Sequence, residues 1–401
     1  MRKDELRVLV VSRLYPRASD PVLGIFVEEE VRQLSKRCQT RVLSPVPWFP
    51  RFKLFEKWYS YTEIPDHESR GGIEVFRPRT IMLPRNLLFS LLGFSFYLPL
   101  LRAARDIDRS LPLDLIHAHT AYPDGFAAVR VGRALKLPVV VTLHGGDVNV
   151  HFRRYLCRRL GLWALSRADR VIAVSESLRR KVVEEYGTSA AKVAVIPNGV
   201  DVAKFQPMTR AEALKGLELD SHAARVLYVG AINESKGIRY LLKAAKRVTE
   251  SLHRPIEFVL IGEGEYEEGA RTLTRELGIA SAVNFGGKRP NSEIPLWINA
   301  SDLLVLPSLS EGFGVALIEA MACGKPVVAT RCGGPDDIVR PDTGTLVPPG
   351  DEIALAQALR EILSGQRQFD PQRVRQRALD NYAYDGVVSR ILEVYRQAVQ
   401  G

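Results

Sequence analysis

Short apolar runs rich in valine, isoleucine and leucine recur along the chain, each separated from the next by a stretch of helical periodicity. In the first half they fall at 6–12, 115–120, 139–144, 170–175 and 193–198. In the second half they fall at 225–230, 257–262, 283–287, 303–308 and 326–330. Strands that are apolar on both faces must be covered on both faces, which predicts parallel sheets flanked by helices. The runs form two sets. The segment between them, 198–224, carries no strand signal and is read as a linker. The expected class is therefore α/β, with two doubly wound, Rossmann-like domains. Ligands are expected at the carboxyl ends of strands and, in a two-domain chain, in the cleft between the halves.

Composition sets the outer bounds. A chain of 401 residues exceeds one ordinary domain. With 46% apolar and 25% charged residues it reads as globular, with ample material for a core. Cys38, Cys157, Cys323 and Cys332 form no CxxC or Cys/His cluster, which argues against zinc and fits a reducing compartment. The opening "MRKDELRVLVVSRLYP" has too short an apolar core for a signal peptide and reads as a first strand. A net charge of +10 suits anionic partners: nucleic acid, an acidic lipid surface or a phosphorylated substrate. Nucleic acid is the weakest of these, because no helix-turn-helix, zinc finger or aromatic stacking motif accompanies the charge.

Five stretches carry candidate chemistry. "EGFGVALIEA" (311–320) places one glutamate in a loop and another on an apolar helix, with small or apolar residues between. The helix is expected from Val315 to Gly324, followed by Pro326. Its first amides lack intrahelical partners and face outward with the positive dipole end, so Phe313, Gly314, Val315 and Ala316 can hold a phosphate. Glu311 would stand beside that phosphate, and Glu319 can accept two hydrogen bonds from a diol such as ribose. In "YVGAINESKG" (228–237), Lys236 follows a strand and opens a helix, where it can neutralise a diphosphate. "GGPDDIV" (333–339) reads as a tight strand-to-helix turn. In "VVVTLHGGDVN", His144 ends a strand ahead of two glycines and Asp147, a position from which it can reach substrate. Gly24 opens an amphipathic helix, a second anion-facing helix end in the first domain; the dinucleotide fingerprint GxGxxG is absent.

In their order, these stretches resemble the signature of family 4 glycosyltransferases of GT-B fold. The resemblance rests on "EGFGVALIEAMACGKPVVAT", "VIPNGVD" (195–201), "YVGAINESKG" and "GGPDDIV...TGTLVPPGD" (333–351), with "LGIFVEEEVRQL" and "TLHGGDV" in the N-terminal half. It covers nearly the whole chain and is strongest over 225–351. "VLSPVPWFPR" (42–51) and "GGIEVFRPRTIMLPR" (71–85) look like the branch that builds bacterial surface polysaccharides, including the teichuronic-acid type. The resemblance implies an acceptor-binding domain (1–200), a nucleotide-sugar-binding domain (201–380) and a C-terminal helix (381–401) that crosses back to the first domain. It implies retention of anomeric configuration, with no metal and no cofactor beyond the UDP- or GDP-linked sugar substrate. Residue by residue, Lys236 would contact the donor diphosphate and Glu311 the sugar hydroxyls. The Phe313–Ala316 amides would meet sugar and phosphate, and Glu319 the ribose. Arg289, in the loop "GGKRP", would lie near the base, and His144 beside the transferred sugar. The chain departs from the pattern at Ala231, where the family usually has arginine as a second diphosphate cation. Arg239 is the candidate substitute.

The chemistry is displacement of a nucleoside diphosphate from an anomeric carbon. Helix-end amides and Lys236 would stabilise the leaving group, with Lys236, Glu311 and His144 as the catalytic set. The one Asp-x-Asp, at 106–108, falls in a helical pattern rather than at a strand end, so no metal is expected. The uncharged run 86–101, interrupted by Pro99, is short for a membrane span and reads as a core helix or one lying at a lipid interface. Between 151 and 181, nine Lys/Arg face two acids. Arg153, Arg154, Arg158 and Arg159 there are expected to attract anionic lipid or a polyprenyl-diphosphate-linked glycan acceptor. The location that follows is cytoplasmic, peripheral at the inner face of the membrane. Competing readings are a GT-B nucleotide-sugar epimerase or hydrolase and a non-catalytic GT-B scaffold.

Overall fold

The computed structural model describes residues 5–49, 59–83, 87–219 and 222–401. The chain divides into two compact units, one comprising residues up to Asn198 together with Val387–Gly401, the other Gly199–Gly386.

The first unit contains strands β1 (Arg7–Val11), β2 (Gln39–Leu43), β3 (Val46–Pro47), β4 (His67–Arg70), β5 (Ile73–Phe76), β6 (Arg79–Thr80), β7 (Leu115–His119), β8 (Val139–Leu143), β9 (Arg170–Ala173) and β10 (Val193–Val195). Eight of them form one sheet in the order β10-β9-β8-β7-β1-β2-β5-β4, while β3 and β6 pair separately. All the neighbours in the large sheet are parallel except β4, which runs antiparallel to β5. The strand order reverses between β1 and β7. There the two crossovers leave in opposite directions and open a crevice above the strand ends. The apolar residues of β1, β7 and β8 are fully buried, as the run-on hydrophobicity predicted.

The second unit adds β11 (Ala224–Val229), β12 (Ile256–Ile261), β13 (Val283–Gly287), β14 (Leu303–Leu306), β15 (Val327–Thr330) and β16 (Gly344–Val347). They form a wholly parallel sheet in the order β13-β12-β11-β14-β15-β16. Here the order reverses between β11 and β14.

The structure corrects the sequence reading in several places. Strands β2, β3, β4, β5, β6 and β16 carry too few consecutive apolar residues to stand out; β4 (HESR) is an edge strand with alternate residues exposed. The segment read as a linker contains regular structure among its described residues. A helix at Arg210–Gly216, opened by a Thr209–Glu212 capping box, buries Ala213 and Leu214 against Ala300 in the second unit. Pro99 does not interrupt its segment: one helix runs Leu92–Ser110, carried through by the buried stripe Leu92, Phe96, Leu100, Ala104 and Ile107. That helix contains the Asp-x-Asp; Asp106 pairs with Arg109, and Asp108 accepts the Leu113 N–H at 2.8 Å. Asn86, at the head of the apolar run, and residues 50–51 and 84–85 of the two branch-specific stretches lie outside the described residues.

Candidate active site

In the second unit two loops leave the sheet at the reversal point, one after β11 and one after β14, and their backbones interlock. Gly237 has φ 69°, and a Cβ there would lie 1.9 Å from the Pro307 carbonyl oxygen. Leu309 N–H donates to the Ser235 carbonyl at 2.8 Å. This contact fixes Lys236, the last residue of a short turn capped by Asn233, against the residues leading to Glu311. The Lys236 Nζ donates to Glu311 Oε2 at 2.6 Å, and Ser308 Oγ donates to the same oxygen at 3.1 Å. Both partners are mostly buried, with side chains 23% and 14% exposed, so water screens the pair only in part.

The GGP turn supplies the second clamp. Glu311 N–H donates to the Cys332 carbonyl at 3.3 Å, and Gly334 N–H donates to the Glu311 carbonyl at 3.0 Å. A Cβ on Gly334 would sit 2.3 Å from Phe313 Cα, so the "GGP" and "EGFG" backbones approach as only glycine allows. Phe313, itself buried, packs its ring on Tyr382, 5.9 Å between centroids. Gly314, at φ 104°, then starts the helix Val315–Ala322 where it was expected. Val315 and Ala316 are half-buried on its first turn, whose amides precede any intrahelical acceptor. Glu319 lies one turn along, half-buried, close enough to Cys323 to help burial push that thiol up to about 12. Lys236, Glu311, Ser308 and the helix start therefore come together at the switch point.

Two predicted donor-site cations stand differently. Arg289 is exposed; its Nε donates to the Gly286 carbonyl at 2.9 Å and its charge lies 5.5 Å from the Trp297 ring. Arg239 lies 3.5 Å from the Tyr266 hydroxyl and 3.7 Å from Glu234. The Ala231 carbonyl accepts the Tyr228 hydroxyl at 2.7 Å.

In the first unit His144 follows β8. Its Nε2 lies 2.9 Å from Nδ1 of His119 at the end of β7, and Phe26 packs on its ring at 4.7 Å between centroids. Phe26 belongs to the helix Ile25–Leu34 opened by Gly24 (φ 63°), so two predicted features meet here. A Cβ on Gly24 would lie 2.3 Å from the Leu14 carbonyl. The first turn of that helix already holds an acid, Glu28, paired with Arg70 and with Arg32 at 3.7 Å.

Behind His144 runs a buried polar chain that the sequence reading missed. The Tyr395 hydroxyl is 2.7 Å from His117 Nδ1, and His117 Nε2 is 2.7 Å from Thr142 Oγ1. His119 Nε2 faces Glu30 Oε1 at 3.7 Å, and neither atom has a hydrogen-bond partner. Burial pushes Glu30 up to about 8 and pulls His117 and His144 down to about 3. The spacing of "HAH" was the available signal, because residues two apart on a strand share a face. Glu30, His117 and His119 are also the one group of metal-ligating side chains drawn together among the described residues. Both ring nitrogens of His117 are engaged, which leaves two donors where zinc sites use three or four.

The four arginines of the basic segment stand near the helix Tyr155–Arg167. Arg153 donates to the Asn149 carbonyl at 3.1 Å, and Arg159 to the Tyr155 hydroxyl at 3.0 Å. Arg158 lies 5.9 Å from the Tyr155 ring, and Arg154 lies 5.5 Å from the Phe89 ring.

Two doubly wound, Rossmann-like α/β units, the second carrying a lysine–glutamate pair beside a helix start, define the GT-B class. The solved structure of sucrose-phosphate synthase from Thermosynechococcus elongatus matches it with TM-score 0.79 at 23% identity, covering 98% of this chain and 99% of that one. HepE of Anabaena, in complex with UDP-glucose, matches with TM-score 0.72 at 21% identity, covering 97% and 99%. The family models for Glycosyltransferase Family 4 and for Glycosyl transferases group 1 match residues 23–204 and 209–384. The putative teichuronic acid biosynthesis glycosyltransferase TuaC of Bacillus subtilis is 32% identical over 363 residues, covering 88% of each chain. The chain belongs to glycosyltransferase family 4.

Proposed function

We propose that this glycosyltransferase moves a hexose-type sugar from a nucleoside-diphosphate sugar, with retention and without metal, to a lipid-linked glycan in bacterial surface-polysaccharide assembly. The observation that carries the donor half is the Lys236–Glu311 pair set against the Val315–Ala322 helix start at a switch point. On this reading Lys236 leaves Glu311 to meet the departing diphosphate, joined by the helix-end amides, while Glu311 takes sugar hydroxyls. Glu319 would hold the ribose, Arg289 would lie near the base, and His144 would face the transferred sugar. The acceptor attacks the face from which the diphosphate leaves. The new C–O bond forms as the anomeric C–O bond breaks, and the acceptor proton passes to the departing phosphate. The complexes of HepE with UDP and with UDP-glucose support a uridine donor, and the name of TuaC supports a surface-polysaccharide product.

A place at the inner membrane face is supported by exposed apolar side chains at Leu87, Leu88, Leu91, Phe94 and Leu98 beside the basic Tyr155–Arg167 helix. No helix among the described residues is long and apolar enough to cross a membrane.

Thermal shift against a panel of UDP- and GDP-sugars tests the donor assignment, and stabilisation by one sugar names its class. Product anomers read by NMR test retention, and activity in excess chelator tests metal independence. Stabilisation by none of the panel overturns the donor reading. Nucleoside diphosphate released with no acceptor glycosylated favours an epimerase or hydrolase.

A further inference from the structure

The reversal point of the first sheet, between β1 and β7, holds a cationic group that no side chain among the described residues engages through a hydrogen bond or close ion pair. Arg13 lies just past the end of β1. Its backbone N–H donates to Asp124 Oδ1 at 2.7 Å, and Thr120 Oγ1 donates to Asp124 Oδ2 at 2.9 Å, so that carboxylate is committed. No hydrogen bond or close ion pair engages the Arg13 guanidinium among the described residues, and its Nε is buried without a partner. Its charge centre rests 5.4 Å from the centroid of the Phe89 ring. The Arg154 guanidinium lies 5.5 Å from the same centroid, and the His151 ring 4.6 Å from it. His151 Nδ1 is likewise buried and unpartnered.

Three nitrogen-bearing groups thus gather around one aromatic ring, and Asp124 is the carboxylate whose charge acts on Arg13. Holding a half-buried guanidinium without a hydrogen-bonded anion is unfavourable, and the exposed Arg154 beside the same ring adds a second positive charge. Burial and the Arg17 charge depress Arg13, against the pull of Asp124, and burial with the charges of Arg13 and Arg154 brings His151 down to about 4. Such a cluster is stabilised by an anion whose oxygens reach several forks at once, as a phosphate does. The same segment presents exposed Leu87, Leu88, Leu91, Phe94 and Leu98, an apolar surface contiguous in sequence with Phe89. We propose that Arg13, Arg154 and His151, gathered around Phe89 at the first sheet's switch point, bind the phosphate or diphosphate of a ligand carrying a hydrocarbon chain. The ligand class rests on the lipid-linked acceptor of the proposed function, but the binding itself needs no transfer.

The test uses the full chain with Lys236→Met as background, which removes the lysine contact to phosphate in the second unit. Binding of farnesyl diphosphate, of farnesol, and of vesicles of phosphatidylglycerol or phosphatidylcholine is compared for this parent and for added Arg13→Met or Arg154→Met. Farnesyl diphosphate is expected to bind at least tenfold more weakly after Arg13→Met and several-fold more weakly after Arg154→Met, while farnesol binds weakly to all. Loss of phosphatidylglycerol vesicle binding with farnesyl diphosphate unchanged assigns the same phosphate site to a membrane headgroup. Arg13→Met is expected to leave the melting temperature unchanged or raised, because it removes a half-buried charge that lacks a hydrogen-bonded anion. A large fall would mark Arg13 as the structural counter-ion of Asp124. That result, or unchanged affinity for both phosphate probes in the exposed-site variant Arg154→Met, overturns the proposal. Binding by the chain with Lys236 intact, without glycosyl transfer to a lipid-diphosphate-linked glycan, would instead refute the acceptor assignment and leave the site standing.

Discussion

Glu311 is surrounded by groups that decide its chemistry: Lys236 and Ser308 on one carboxylate oxygen, and the GGP turn on its backbone. Replacing it with glutamine keeps the shape but removes the charge that holds Lys236 in waiting. Turnover, read as nucleoside diphosphate release in the presence of acceptor, is expected to fall at least about 100-fold, with the melting temperature changing by only a few degrees. Wild-type turnover in that variant would remove Glu311 from the mechanism. Glu30 makes a different prediction. Burial raises its pKa to about 8 in the folded protein, against about 4.3 in an unfolded chain. The folded state therefore favours the neutral acid, and that contribution is complete below pH ~4 and lost as pH rises toward ~8. Glu30→Gln keeps a neutral side chain throughout. Urea melts at pH 5 and pH 8 are expected to show the wild type losing stability relative to Glu30→Gln, by a few kcal/mol at most. Parallel pH profiles would refute a neutral buried Glu30. His144 was legible as a strand-end residue before glycines, but its contact with His119, and the unpartnered atoms of His119 and Glu30 behind it, join β7, β8 and the Gly24 helix. No local pattern reports that.

At the scale of elements, the interlocked loops explain why the motifs come as a set. Gly237 closes on Pro307, and Gly334 closes on Phe313, so each glycine admits a neighbouring backbone rather than merely permitting a turn. Gly334→Ala would drive a methyl into Phe313 Cα and displace the start of the Val315–Ala322 helix. Affinity for the nucleoside diphosphate, measured by calorimetry, is expected to fall at least about tenfold, with a stability loss of a few kcal/mol. Unchanged affinity would show that the helix start does not need this clamp. The sequence placed that helix correctly, because a left-handed glycine and a following apolar run are local signals. It failed on β4 and β16, whose polar or short runs become strands only because a neighbouring strand offers hydrogen bonds. It also failed at Pro99, where the buried stripe of the Leu92–Ser110 helix outweighs the local penalty of the ring.

For the whole molecule, charge and apolar exposure are concentrated in the first unit. Co-sedimentation with phosphatidylglycerol liposomes is expected to fall several-fold when Arg153, Arg154, Arg158 and Arg159 are changed to glutamine, and to weaken with salt. Binding unaffected by the four changes would place the membrane contact elsewhere or nowhere. The sequence by itself determined the class of fold, because uninterrupted apolar strands between helices have one economical burial, a covered parallel sheet. It also determined the order of the donor motifs and the glycines that open two helices, since backbone conformation is set within a few residues. Tertiary structure alone decided which residues meet. Lys236 reaches Glu311 because the sheet order puts β11 beside β14, and Arg13 is left unpaired beside Phe89 because the order reverses between β1 and β7. Contacts between residues 75 or 76 apart depend on how crossovers stack, and that is a property of the packed sheet rather than of any window of sequence.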